Sequence, residues 1–147
     1  MTATTDEIDP LALENQVCFA LAVASRRVIG LYRPLLEPMG LTHPQYLVML
    51  ALWGDEPLSV TELSGMLALD PGTLSPLLKR LEAIGYLRRE RDPADERSLA
   101  ITLTGSGRAL RARAEQIPPA VVSRLGMPIE DLQRLHASLT QVIAATR

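Results

Sequence analysis

The 147-residue chain has little of what marks an extracellular, membrane or metal-binding protein. It contains one cysteine, which excludes a disulfide within the chain and suits a reducing cytoplasm. The longest unbroken apolar run, at residues 17–24, is far shorter than a membrane span. The two histidines and the cysteine are widely separated and match no zinc-ligand spacing. We therefore predict a cytoplasmic protein that needs no metal, cofactor or membrane.

An excess of charge of one sign is also missing, since the formal net charge is −2. Overall charge therefore does not indicate a nucleic-acid binder. The positive charge is local, because residues 73–91 contain five lysines or arginines against two glutamates. Such a patch can bind phosphates on an acidic protein. With 47% hydrophobic residues in periodic patterns, the chain is long enough for one folded domain with a real core.

Residues 59–103 show the order of elements found in a winged helix-turn-helix. Ser59 and Glu62 form a capping-box pattern in front of a short amphipathic helix. The Asp-Pro-Gly run at residues 70–72 is a turn signal that we expect to end this helix. A helix, a tight turn and a further helix are therefore predicted.

The second helix is indicated by one apolar stripe at helical spacing. Pro76 is tolerated only in a first turn, so we expect the helix to begin within a few residues of Thr73. Gly85 is placed to end it. Residues 87–91 and 99–103 then predict a β-hairpin with a charged tip. In a winged helix-turn-helix the second helix enters the DNA major groove and the hairpin contacts the backbone or minor groove.

The predicted DNA contacts lie on the side of the second helix that does not pack. They are Thr73, Ser75, Pro76, Lys79 and Arg80. The alternative is that Lys79 and Arg80 belong to an ordinary solvated face. Arg88, Arg89 and Arg91 are predicted to contact phosphates or to pair with Glu90 and Asp92, and are not predicted to read bases.

Long apolar helices flank this DNA-binding middle. Asp9 and Pro10 form a helix start, and from residue 11 to about 36 the chain is apolar on most faces, up to Pro34 and residues 38–40. A helix that is apolar all round must be covered all round. We therefore expect a homodimer in which helices at about 9–38 and 105–147 dimerise around a winged helix at about 42–104, all in one domain.

The remaining helix boundaries follow from caps and prolines. A capping box at residues 42–45 opens an apolar helix that Gly54 ends. Thr104 caps an arginine-rich helix that stops at residues 118–119, and a short segment to Gly126 follows. Pro128 starts the last helix. The fold class is therefore mainly α with a small β-hairpin wing.

Cys18 has two interpretations. A free cysteine is most simply a small buried hydrophobe. A reactive thiolate instead needs solvent access and stabilising groups. The predicted helix start places Cys18 more than one turn inside, where the helix dipole fades. Tyr32 lies fourteen residues further along, about 21 Å away at the rise of an α-helix, so any contact with Cys18 must cross to another subunit.

Five segments resemble, in order, the OhrR branch of the MarR family. They are LENQVCF at 13–19, LYRPLL at 31–36, THPQYLV at 42–48, LDPGTLSPLLKR at 69–80 and DERS at 95–98. The resemblance covers nearly the whole chain from residue 11 onward. It implies a bacterial repressor that senses organic hydroperoxides and binds operator DNA as a winged helix-turn-helix.

The resemblance also implies roles for individual residues. The cysteine that matches Cys18 is oxidised to a sulfenic acid, after which the repressor leaves its operator. The tyrosine that matches Tyr32 contacts the thiolate from the other subunit. The arginine that matches Arg97 enters the minor groove from the wing tip, with Asp95 holding it in position.

The chain departs from the family where the best-known members have a second thiolate-contacting tyrosine, because His43 stands there. His43 can still donate a hydrogen bond, and its titration would make sensing pH-dependent. The alternative is a surface histidine without a role.

A second departure is that no resolving cysteine follows Cys18. The sulfenic acid must then react with a low-molecular-weight thiol, form a disulfide between two Cys18 residues, or oxidise further. We favour the small thiol, since the two Cys18 residues of a dimer are expected to lie far apart.

Two alternative functions stay open. One is a MarR-type regulator that binds a small apolar or phenolic ligand while Cys18 remains unreactive. The other is a one-cysteine thiol peroxidase, which would have no reason to carry a helix-turn-helix and a basic hairpin.

Overall fold

The computed structural model describes residues 9–92 and 95–146, with the backbone alone for residues 92 and 95–98. The described chain is mainly helical with a small sheet, which confirms the predicted fold class. The elements in order are α1 (Val17–Leu36), α2 (His43–Gly54), β1 (Leu58–Ser59), α3 (Val60–Leu67), α4 (Pro71–Ile84), β2 (Leu87–Asp92), β3 (Asp95–Leu103), α5 (Gly105–Ala114), α6 (Ile117–Leu125) and α7 (Ile129–Ala145).

The first long helix starts at Val17, and the predicted start near Leu11 was wrong. The backbone of Gln16 is extended, with φ −86° and ψ 117°, which interrupts the helix that the sequence pattern predicts. The side-chain amide of Gln16 turns back and donates to the carbonyl of Pro10 at 2.6 Å. Cys18 therefore lies in the first turn of α1.

The end of α1 is formed by a short 3₁₀ turn. Pro34 lies inside the helix and does not end it, contrary to the prediction. The carbonyl of Gly30, which loses its intrahelical donor at Pro34, belongs to an exposed residue and can bond to water. The chain then passes through a 3₁₀ turn at Glu37–Met39 and reverses at Gly40, whose φ of 72° favours glycine.

α2 and α3 begin with the capping boxes that the sequence predicts. Thr42 donates its backbone N–H to Gln45 Oε1 at 2.9 Å. Ser59 Oγ accepts the backbone N–H of Glu62 at 3.0 Å, and Glu62 Oε1 accepts the backbone N–H of Ser59 at 3.3 Å. These reciprocal bonds satisfy amides that have no partner inside a helix.

α4 begins within a few residues of Thr73, as predicted. Asp70 is its N-cap and Pro71 its first residue, so the expectation that residues 70–72 form a separate turn was wrong. Proline is favoured at a first helical position because its missing N–H would have no intrahelical partner there. Pro76 consequently lies in the second turn and not in the first. Gly85 ends α4 with φ 99°, as predicted.

β3 is the central strand of a three-stranded sheet with the order β1-β3-β2. The predicted hairpin is confirmed, with Leu87 opposite Leu103 and Arg91 opposite Leu99. The short strand β1 was not predicted, and it pairs Leu58 with Ile101. Because β1 directly precedes α3, this pairing attaches the helix-turn-helix to the hairpin.

Three helices complete the chain. Thr104 Oγ1 accepts the backbone N–H of Gly107 at 3.1 Å, which confirms the predicted cap of α5. The segment up to Gly126, predicted as a short connection, is the helix α6. The prolines at 118–119 lie in its first turn, where amide groups are not needed for intrahelical bonds. α7 follows Pro128, as predicted.

The core lies where α2, α3 and α4 pack against the sheet. Its most deeply buried residues are Val48, Met49, Leu63, Leu74, Leu81 and Ile101. The first and last helices lie largely outside this core, since α1 buries only Leu36 and α7 buries no residue. The prediction that another subunit covers them stays a prediction.

Candidate DNA interface and thiol site

α4 turns its predicted contact residues toward solvent. Thr73, Pro76, Lys79 and Arg80 are exposed and Ser75 is half-buried. These five residues form what we call the outer face of α4. The opposite face consists of leucines that are completely buried in the core. α4 is therefore fixed by its inner face, while the outer face remains available for a partner.

The start of the outer face is held by Asp70. Its Oδ1 accepts the backbone N–H of Thr73 at 2.9 Å, and its Oδ2 accepts the hydroxyl of the same threonine at 2.9 Å. These hydrogen bonds hold the pKa of Asp70 below its ordinary value. Because the Thr73 hydroxyl donates inward, its oxygen can only accept hydrogen bonds from an outside partner.

Arg89 forms an ion pair with Glu82 of α4, instead of the predicted partners Glu90 and Asp92. Its Nε lies 3.1 Å from Glu82 Oε2 and its Nη2 lies 3.3 Å from Oε1. The backbone N–H of Arg89 also donates to Oε2 at 3.1 Å. Hydrogen bonding to Arg89 lowers the pKa of the Glu82 carboxyl. The pair attaches the first wing strand to α4.

The other wing cations lie on both sides of Arg89 along the hairpin. Arg88 and Arg91 are exposed on β2. The backbones of Asp95 and Arg97 belong to β3, but their side chains lie outside the described part of the structure, as do residues 93–94 at the tip. The predicted roles of Asp95 and Arg97 at DNA therefore stay predictions.

Cys18 is exposed in the first turn of α1. In the single chain it is thus not the buried hydrophobe that a free cysteine most often is. The expectation that it lies beyond the reach of the helix dipole was wrong, because the helix starts one residue before it. The positive end of the dipole and the free amides of the first turn both favour an anion at this position.

Tyr32, His43 and Tyr46 form an aromatic cluster where α1 meets α2. The rings of Tyr32 and His43 meet edge to face, with centroids 4.9 Å apart and an interplanar angle of 65°. Tyr46 lies 5.8 Å from Tyr32 and 6.4 Å from His43. Tyr32 and His43 are half-buried, whereas Tyr46 is buried. Burial lowers the pKa of His43, so its imidazole is neutral near pH 7.

The structure brings together two of the three predicted sensing residues. Tyr32 and His43 are in contact, but Cys18 lies about fourteen residues before Tyr32 on the same helix. At 1.5 Å per residue this separation is about 21 Å along the axis. Cys18 therefore cannot reach the aromatic cluster of its own chain.

Two clefts border the aromatic cluster. One, of about 370 Å³, lies between α2 and the helices α5 and α6. It is lined by residues that include Tyr46, Leu50, Trp53, Arg111 and Pro118. The second, of about 320 Å³, lies between the end of α1 and the start of α2. It is lined by residues that include Ile29, Arg33, Leu36, Leu41 and His43.

Two polar side chains that the sequence did not single out join distant parts of the chain. The Tyr86 hydroxyl donates to the Met39 carbonyl at 2.7 Å. Glu56 accepts the backbone N–H of Leu103 at 3.1 Å and pairs with Arg108 at 2.6 Å. Their partners are 47 residues or more away in sequence, so no local pattern could indicate them.

Neither a metal centre nor a membrane span is present in the part of the chain that the structure describes. Across residues 9–92 and 95–146, no group of three or more His, Cys, Asp or Glu residues could hold a metal ion. No helix within these same ranges is sufficiently long and apolar to cross a bilayer.

Known proteins of similar sequence decide the family. A family model described as MarR family matches residues 41–99. The chain is also 42% identical to the organic hydroperoxide resistance transcriptional regulator of Bacillus subtilis strain 168, over 91% of each chain. The chain belongs to the MarR family.

Two further similar proteins are DNA-binding or helix-turn-helix regulators. The chain is 45% identical to the transcriptional regulator TtmR of Methylorubrum extorquens strain PA1, over 94% of this chain and 71% of that one. AbfR of Staphylococcus epidermidis, solved in its reduced form bound to DNA, matches with a TM-score of 0.75 and 35% identity, over 92% and 94% of the two chains. AbfR has also been solved in a disulfide form.

Membership of the MarR family confirms the resemblance found in the sequence. The sheet with α3 and α4 is the winged helix-turn-helix of this family, whose members bind operator DNA. The protein is therefore a transcriptional regulator of the MarR type. Its relatives are transcriptional regulators and not enzymes, which leaves the thiol peroxidase alternative without support from similarity.

Proposed function

We propose that this MarR-type regulator is a repressor that senses organic hydroperoxides by oxidation of Cys18 and then releases its operator. The observation that carries the proposal is the position of the sensing groups on α1. Cys18 is exposed at the first turn, and Tyr32 belongs to an aromatic cluster near the other end. In a two-fold dimer, each Cys18 can meet the partner's cluster, which makes two equivalent sites. The Bacillus subtilis relative, named for organic hydroperoxide resistance, supports the substrate class.

The dimer itself is supported by uncovered apolar side chains on the first and last helices. Those exposed by 40% or more include Val17, Phe19, Ile29, Ile129, Leu135, Val142 and Ile143. Exposed apolar surface of this extent marks an interaction site. We assign residues 9–38 and 105–147 to the dimer interface and residues 42–104 to the DNA-binding unit.

For operator binding, we assign the outer face of α4 to the major groove and Arg97, held by Asp95, to the minor groove. Lys79 and Arg80 supply the cationic contacts of α4. Arg89 is assigned a supporting role at the wing, because both ends of its guanidinium fork are bonded to Glu82.

The sensing step is a two-electron oxidation of sulfur. The Cys18 thiolate attacks the terminal oxygen of a hydroperoxide ROOH, so that an S–O bond forms as the O–O bond breaks. The alkoxide that leaves takes a proton from Tyr32 of the partner subunit or from water, and departs as the alcohol ROH. Cys18 is left as a sulfenic acid. His43, neutral near pH 7, can donate a hydrogen bond to the sulfur or to the leaving oxygen.

The sulfenic acid then reacts outside the chain, since no other cysteine is present. A low-molecular-weight thiol R′SH condenses with it to give a mixed disulfide and water. The disulfide form in which AbfR has been solved supports a disulfide as a stable product. The added group at the dimer interface changes the spacing of the two DNA-binding units. A change of a few kcal/mol in the balance between two arrangements is enough to release DNA.

DNA binding with and without peroxide tests the proposal. A duplex selected by the reduced protein from a random-sequence pool is titrated by fluorescence anisotropy, before and after cumene hydroperoxide and glutathione. We expect the Kd of the wild-type protein to rise by at least about tenfold, which corresponds to about 1.4 kcal/mol. The Kd of Cys18→Ser should not change, and mass spectrometry should find the modification on the Cys18 peptide. An equal response in Cys18→Ser would contradict the proposal.

A second function is favoured by the cleft between α2 and α5. Its volume of about 370 Å³, its aromatic residues Tyr46 and Trp53 and the guanidinium of Arg111 suit a small phenolic ligand. On this alternative, Cys18 is unreactive and peroxide has no effect on DNA binding. The same titration with salicylate in place of peroxide distinguishes the two functions, because a ligand response persists in Cys18→Ser.

A further inference from the structure

Tyr86 connects the DNA-binding helix to the turn between α1 and α2. It follows Gly85, the residue that ends α4, and immediately precedes the wing strand β2. Its half-buried side chain reaches the 3₁₀ turn Glu37–Met39, where its hydroxyl donates to the carbonyl of Met39 at 2.7 Å. One residue thus joins the end of the DNA-binding helix, through its backbone, to a turn 47 residues away, through its side chain.

The turn that Tyr86 contacts separates two members of the aromatic cluster. Tyr32 lies in the last turns of α1 before it, and His43 is the first residue of α2 after it. The only other side-chain bond from a distant element to this turn, within the described residues, is from Arg113 to the Pro38 carbonyl at 3.3 Å. A shift of α1 relative to α2 would therefore move the turn whose carbonyls Tyr86 and Arg113 hold.

The backbone around Tyr86 is fixed from the other side by α5. Thr104 donates its backbone N–H to the Tyr86 carbonyl at 3.1 Å and its hydroxyl to the Gly85 carbonyl at 2.5 Å. Gly107 packs so closely that a Cβ there would collide with the Tyr86 carbonyl oxygen. Residues 85–86 therefore have little freedom to shift independently of the helix that leads into the C-terminal part of the chain.

We infer that Tyr86 is a positioning residue that couples the aromatic cluster to the DNA-binding helix and the wing. Displacement of the turn at 37–39 pulls on the end of α4 and on the first residue of β2 together, because one hydroxyl bonds to the turn. For its redox consequence, the inference rests on the proposed function. The effect of operator DNA on the aromatic cluster does not rest on the proposed function. It follows from coupling alone, because coupling between two sites acts equally in both directions.

Reciprocity provides a direct test, because operator binding must alter the surroundings of His43. The chain has two histidines, and the other, His136, is exposed on α7. Proton NMR of the imidazole C2–H signals can therefore follow both titrations in one sample. His136 reports the general field of the bound DNA, and His43 reports the same field together with any change in the aromatic cluster.

The variant that isolates the coupling is Tyr86→Phe, which removes one oxygen and leaves the ring in place. Thr146→Val is a matched control, because it removes a hydroxyl that donates to the Val142 carbonyl at 2.8 Å, within the C-terminal helix, and that bonds to none of the residues that Tyr86 contacts. Circular dichroism and urea unfolding establish that both variants are folded. Imidazole titrations are then recorded with and without the selected duplex.

We expect operator DNA to change the titration of His43 more than that of His136 in the wild-type protein and in Thr146→Val. In Tyr86→Phe the excess change should fall to less than half, while His136 behaves as before. A change in His43 that is equal in Tyr86→Phe and in the wild type would overturn the inference. So would a His43 change in the wild type no larger than that of His136.

A redox measurement separates failure of the coupling from failure of the proposed function. We expect the ratio of the oxidised to the reduced Kd to be about fivefold smaller in Tyr86→Phe, the loss expected for one hydrogen bond. If neither the wild type nor any variant responds to peroxide, the proposed function is contradicted. The histidine titrations still test whether Tyr86 couples the aromatic cluster to the DNA-binding helix. A wild-type ratio in Tyr86→Phe would contradict the coupling alone.

Discussion

His43 occupies a half-buried position against the edge of Tyr32, and burial lowers its pKa from the ordinary value of about 6.5. Above that pH the imidazole is neutral in both the folded and the unfolded chain, so it does not alter stability. As the pH falls below about 6.5, the unfolded chain takes up the proton first, and the folded state loses stability. Lowering the pH therefore destabilises the folded protein through protonation of His43.

The wild-type protein should consequently lose thermal stability more steeply between pH 7 and pH 5 than His43→Gln does, because glutamine has no proton to gain. Differential scanning fluorimetry across this range measures the slope of Tm against pH. His136→Gln is the control, since His136 is exposed on α7, and it should keep the wild-type slope. Equal slopes in all three proteins would show that the burial of His43 has no energetic effect.

Lys79 is the residue that tests the outer face of α4. If Lys79 contacts a phosphate, Lys79→Ala should weaken binding to all duplexes by a similar factor and lower the slope of log K against log salt by about 1. Anisotropy titrations at several salt concentrations give this slope. Arg134→Ala removes a cation on α7 that pairs with Asp131, and it should leave the slope unchanged. A Lys79→Ala slope equal to that of the wild type would remove Lys79 from the interface.

At the level of elements, the start of α5 packs tightly against the residue that precedes β2. A Cβ at Gly107 would collide with the Tyr86 carbonyl, so Gly107→Ala should destabilise the protein by about 1–3 kcal/mol or more. Gly105→Ala is a matched control in the same helix, because no atom lies within 4 Å of its Cβ, and alanine favours helix. Urea unfolding compares the two. Similar free energies of unfolding would show that α5 can move away from Tyr86.

The elements also show how far local sequence patterns reach. The caps at Ser59 and Thr104 could be predicted because each satisfies an amide only three residues away. The start of α1 could not, because Gln16 bonds backward to Pro10 and not to the helix that follows. β1 has two residues, too few to show a period, and its partner strand is about forty residues later. Helix and strand boundaries that are set by local hydrogen bonds can therefore be predicted from the sequence. Boundaries that are set by distant partners cannot.

The same distinction applies to the candidate sites. The outer face of α4 follows from helical periodicity, since residues that avoid the buried leucine stripe must face outward. The contact between Tyr32 and His43 depends on how α1 packs against α2, which no spacing reveals. The junction at Tyr86 requires three separate segments to meet, and no local pattern indicates it.

For the whole molecule, the central consequence of the structure is that one chain cannot assemble a sensing site. Cys18 and Tyr32 are about 21 Å apart on one helix, and apolar faces of the first and last helices are uncovered. A dimer would bring Cys18 of one subunit to Tyr32 of the other, and it would cover these apolar faces. The proposed site must then consist of Cys18 from one subunit and the aromatic cluster from the other.

Mixed dimers test this claim most directly. A dimer of one Cys18→Ser chain and one Tyr32→Phe chain contains a single cysteine, and across the interface that cysteine meets the intact Tyr32 of the other chain. Within its own chain the same cysteine is accompanied by phenylalanine. Differently tagged chains are co-expressed, the mixed dimer is purified, and the rate of Cys18 oxidation by cumene hydroperoxide is followed by mass spectrometry.

Removal of a hydrogen bond to a charged group costs about 1.5–3 kcal/mol, so the Tyr32→Phe homodimer should react about tenfold more slowly than the wild type. We predict that the cysteine of the mixed dimer reacts at the wild-type rate, because its tyrosine is supplied by the other subunit. Reaction at the slow rate of the Tyr32→Phe homodimer would contradict a site shared between two chains.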